Sequence, residues 1–62
     1  MKTSELVRIL KKSGSYIIRH GHKHDTWLNP ANGMSDKVDR HWAQEVATGT
    51  AQKILKNLGL KQ

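Results

Sequence analysis

At Gly14 the apolar pattern of this chain changes period, and that switch limits the fold more than any other feature. Before it, Leu6, Ile9 and Leu10 recur at the spacing of one helical face, with Val7 widening the stripe. The pattern predicts a helix over residues 3–13, capped by Thr3 or Ser4. Glu5 suits the positive end of its dipole, and Lys11 and Lys12 suit the negative end. Gly14 is the expected stop, because glycine accepts the left-handed conformation that ends a helix. After it, Tyr16, Ile17 and Ile18 are aromatic or β-branched and favour a strand ending at His20. In a regular strand Tyr16, Ile18 and His20 face one way, and Ile17 and Arg19 the other.

Gly21 permits a turn, and a second strand is expected from Lys23 to Asn29. Its period places His24, Thr26 and Leu28 on one face and Asp25, Trp27 and Asn29 on the other. Pro30-Ala31-Asn32-Gly33 reads as a turn. A more polar third strand, about Met34 to Arg40, follows as an edge. Residues 41–47 lack a period and are expected to connect, with Trp42 and Val46 anchoring the segment to the core. Thr48 then reads as an N-cap. Ala51, Ile54, Leu55 and Leu58 form a second helical face, and Gly59 stops it, with Leu60 packing back. The order is α-β-β-β-α. This predicts a single α+β domain over residues 1–62, with a three-stranded antiparallel sheet, two helices on one face and the other face open.

Sixty-two residues bury only about 60% of the unfolded chain's surface, so a partner that adds stability is expected. The chain has no cysteine, which removes disulfides and thiolate metal sites. No run approaches the roughly 20 apolar residues of a membrane span. A net charge of +6, spread from Lys2 to Lys61, gives the folded body a positive field that attracts polyanions, nucleic acid first.

The chemistry-bearing stretch is Arg19-His20-Gly21-His22-Lys23-His24-Asp25-Thr26-Trp27. Three histidines at alternate positions suggest a metal site. Gly21 interrupts the strand between them, however, and no fourth ligand is placed, so none is expected. No serine stands in a nucleophile turn, the five carboxylates are scattered, and there is no glycine-rich phosphate loop. Histidine acid–base chemistry on a phosphodiester is what is left. RNA carries its own nucleophile, the 2′-hydroxyl, so the protein needs only a base, a leaving-group acid or water, and positive charge. Lys23, Arg19, Lys37 and Arg40 are the candidates for that charge. Trp27 and Trp42 are expected to pack in or beside the core rather than stack on bases.

Beyond this, the chain resembles the HicA family of toxins, the ribonuclease halves of HicA–HicB toxin–antitoxin pairs. The resemblance runs from the Thr3–Lys12 segment through Gly14, His24-Asp25-Thr26-Trp27, Asn29-Pro30 with Asn32-Gly33, and Arg40-His41. It continues through Gly49-Thr50 and Ile54-Leu55-Lys56 to Leu58-Gly59-Leu60. It implies a fold similar to double-stranded-RNA-binding domains. It also implies an RNA-cleaving activity that depends on one second-strand histidine, and an antitoxin that masks it. The histidine carried over is His24, three residues before Trp27. Where the family has Gly-Ser before that histidine this chain has His22-Lys23, which keeps His22 as a rival. Where the family commonly has proline before Arg-His, Asp39 stands.

The expectation is therefore a cytoplasmic, metal-independent mRNA endoribonuclease that inhibits translation, needs no cofactor and is neutralised by an acidic HicB-like antitoxin. His24 is its catalytic residue, and Lys23, Arg19, Lys37 and Arg40 contact RNA. The alternative is a non-catalytic RNA-binding module of the same fold.

Overall fold

The first turn of a helix leaves backbone N–H groups without partners, and here a distant loop supplies them. The structure is a computed structural model and describes residues 1–60. Helix α1 spans Thr3–Lys12, with Lys2 at the cap position and no side-chain cap. The expected capping by Thr3 or Ser4 is replaced by carbonyls of the 41–47 segment. Thr3 N–H donates to Gln44 O at 2.9 Å and Ser4 N–H to Trp42 O at 3.0 Å. The Thr3 hydroxyl also donates to Gln44 O. Val46 N–H donates to Met1 O, so the segment runs beside the N-terminus as a strand-like strap.

Helix α2 spans Thr48–Asn57. Ala47, not Thr48, holds its cap position, and no side chain caps it. Both helices end alike. Ser15 N–H reaches Leu10 O with Gly14 N–H on Lys11 O, and Leu60 N–H reaches Leu55 O with Gly59 N–H on Lys56 O. This is the paired bonding of a Schellman ending, and Gly14 and Gly59 have the positive φ it needs.

Strands β1 (Tyr16–His20), β2 (His24–Asn29) and β3 (Met34–Asp39) form an antiparallel sheet with β2 in the middle. The period of β2 is as expected. Asp25, Trp27 and Asn29 are buried, while His24 is exposed and Thr26 and Leu28 are half-buried. Trp27 and Val38 meet Leu6, Val7 and Leu10 of α1 and Ile54, Leu55 and Leu58 of α2 in the core. Each such side chain contributes about 1.5–3 kcal/mol by leaving water. The buried Asn29 amide donates to Leu58 O at 2.8 Å, and Asn32 donates to the same carbonyl at 3.1 Å. The β2–β3 turn is thereby fastened to the end of α2.

Two further expectations are corrected. Strand β1 is not regular. Ile17 pairs with Trp27 and Arg19 with Thr26, so Ile18 is an extra residue, a bulge. Trp42 does not anchor its segment in the core. It is 45% exposed and lies outside α1, with the Lys11 ammonium 5.2 Å from its ring centre. It shares a shallow cleft with Ser4, Val7, Arg8 and Lys11, at the edge of the α1 face that Leu6 and Leu10 bury in the core.

Candidate active site

One extra residue decides what the open sheet face carries. Without the bulge, the pairing of Ile17 with Trp27 would continue as Ile18 with Thr26 and Arg19 with Asp25. Arg19 would then lie on the helix side. With it, Arg19 pairs with Thr26, and Thr26 pairs with Lys37 on β3. Directly paired residues share a face, so the guanidinium and the ammonium flank Thr26 on the open side. His24 is two residues back on β2 and therefore on the same face, roughly 7 Å along the strand. Arg19, His22, Lys23, His24, Thr26 and Lys37 line one open depression with Gly21. His24 and Lys37 also border a second cleft, between β3 and the start of α2.

Across from His24 on β3 stands Asp39. The backbone N–H of His41 donates to its carboxylate at 2.8 Å and holds its pKa below the ordinary 3.8. Burial opposes this, and the charges of His41 and His24 add to the lowering. The anion beside His24 is thus a stable feature of the site.

The bulge has a second effect on the opposite face, where His20 now pairs with Asp25. His20 Nδ1 lies 2.9 Å from Asp25 Oδ1, so the three alternate histidines do not converge. Among the described residues, no three His, Asp or Glu side chains are arranged to hold a metal ion. Arg40 joins the same carboxylate, its Nε 3.2 Å from Asp25 Oδ1, and also donates to Gly21 O. Its guanidinium is engaged there, and Arg40 is not among the residues lining the depression. Arg40, grouped with the three other cations on sequence, therefore stands apart from them in the fold.

The family model for the HicA toxin of bacterial toxin–antitoxin systems matches residues 3–60. The chain belongs to that family. No curated protein and no solved structure matches it. The HicA match runs from the first residue of α1 past the end of α2, so both helices, the sheet and the depression lie within it. Membership makes the chain a toxin of such a system, with an antitoxin as its general class of partner. No described helix is long and apolar enough to cross a membrane.

Of the site residues expected in this HicA chain, Arg19, Lys23, His24 and Lys37 come together, and the rival His22 lies with them. The sequence does not single out Asp25 or the contact role of Gly21. The one available signal is a carboxylate placed on a strand's inward face, where it requires partners.

Proposed function

We propose that this toxin is a metal-independent endoribonuclease that cuts mRNA and so inhibits translation. His24 exchanges protons, and Arg19, Lys23 and Lys37 hold the phosphate. The observation that carries this reading is the depression itself, an exposed imidazole beside three cations on an open sheet face. In the proposed step His24 takes the proton of a ribose 2′-hydroxyl, and the 2′-oxygen bonds to the adjacent phosphorus. The bond from phosphorus to the 5′-oxygen breaks, and that oxygen takes a proton from an acid or water. Charge builds on the non-bridging oxygens as the phosphorus becomes five-coordinate, and Arg19 and Lys37 lie on both sides of Thr26 to meet it.

The partner in this reading is an acidic HicB-like antitoxin that covers the His24 face in the cytoplasm. The net charge of +6 supports an acidic partner as well as an RNA substrate. The test is a labelled transcript incubated with purified protein in excess chelator. Shortened products are expected, and none from a transcript carrying 2′-deoxyribose throughout. A mobility shift at unchanged length would instead make the protein an RNA-binding module.

A further inference from the structure

We propose that Asp25 and Arg40 form a clamp that positions the His22–Lys23 turn, and with it His24; this rests on the endoribonuclease reading above. The turn that joins β1 to β2 is short, and its ends are Gly21 and His24. Two-residue hairpin turns that match strand twist need positive φ at one or both central residues. Here neither His22 nor Lys23 has it, because the positive φ values among the described residues fall on Gly14, Gly33 and Gly59 alone. The local sequence therefore does not specify this turn by itself, and its geometry has to be held from outside.

The structure shows what holds it. Gly21 N–H donates to His24 O at 2.8 Å, and a Cβ at Gly21 would sit 2.7 Å from that same oxygen. The Gly21 carbonyl accepts from Arg40, whose Nε lies 3.2 Å from Asp25 Oδ1. Asp25 is 5% exposed, next to His24 in the chain but on the opposite face. One guanidinium from the end of β3 therefore fixes both the residue before the turn and the residue after His24. The planar, multi-donor shape of arginine suits such a two-acceptor link, whereas a lysine ammonium is a point charge on a flexible stem. Arg40 is thus a positioning residue, not a phosphate ligand.

The test measures single-turnover cleavage of a labelled transcript across protein concentrations, together with amide hydrogen exchange of the free protein by NMR. For Arg40→Ala, the maximal rate is expected to fall by about 100-fold, the scale of an ångström of misplacement. The half-saturating concentration should stay nearly constant, and exchange at the Gly21 amide should quicken while Leu6 and Leu10 stay protected. Arg40→Lys should recover part of the rate. An unchanged maximal rate with weaker half-saturation, or unchanged Gly21 exchange, would overturn the clamp. Should Arg40→Ala lose core protection, Arg40→Lys decides by the same readings: a lowered maximal rate with quicker Gly21 exchange supports the clamp, and wild-type values for both reject it. If the wild-type protein cuts no RNA, the endoribonuclease reading fails, and Gly21 exchange still decides whether Arg40 holds the turn.

Discussion

Asp39 departs from the proline that the family commonly places before Arg-His, and the departure puts a carboxylate opposite His24. Its lowered pKa has a thermodynamic consequence. A carboxyl more acidic in the folded protein than in the unfolded chain stabilises the fold fully above its ordinary value of 3.8. That contribution is lost as pH falls through the lower folded value. Asp39→Asn is therefore expected to lower the thermal midpoint at about pH 6, with the gap from wild type closing towards about pH 2. A gap of equal size at both ends would mean that the carboxylate's charge plays no part. At this scale the sequence is legible where a residue acts through its own face of a strand, as His24 and Thr26 do. It is illegible where the partner comes from elsewhere in the chain, as with Asp25 and Arg40.

Among the elements, the helix endings are readable in the sequence and the helix starts are not. Gly14 and Gly59 announce their stops because the required backbone conformation belongs to glycine. The start of α1 is closed by Gln44 and Trp42 carbonyls, over thirty residues away, which no local signature encodes. Gly59 also lies against the β2–β3 turn, for a Cβ there would collide with the Asn32 amide. Gly59→Ala should cost roughly 2–3 kcal/mol, from left-handed backbone strain plus the disturbed Asn32–Leu58 hydrogen bond. That is a midpoint drop of about 10 °C or more in a domain of this size. Gly49→Ala is the control. Gly49 sits in α2 with no neighbouring atom within 4 Å of where a Cβ would stand, and the change should leave the midpoint equal or higher. Strand β1 is the element whose geometry the sequence conceals. Its residues have the composition of a regular strand, and the bulge is visible only in its pairing with β2.

On the scale of the whole molecule, the two layers divide the work. Both helices and the inward sheet face make the core, while the outward face is left with Arg19, His24 and Lys37. The α-β-β-β-α order follows from periods and turn residues alone, since most element ends are marked by glycine or by the proline-containing turn. The assembled depression does not follow, because Arg19 reaches it only through the register shift at Ile18. In the proposed reading, the uncovered basic face serves two successive partners, RNA in the free toxin and an acidic antitoxin in the neutralised one. In the proposed mechanism one histidine on this face, His24, does the chemistry. Its most direct test is cleavage of a labelled transcript by His24→Ala and His22→Ala, both checked for wild-type folding by circular dichroism. His24→Ala is expected to bind the transcript without cutting it, with His22→Ala retaining cleavage. Undiminished cleavage by His24→Ala would remove His24 from the chemistry.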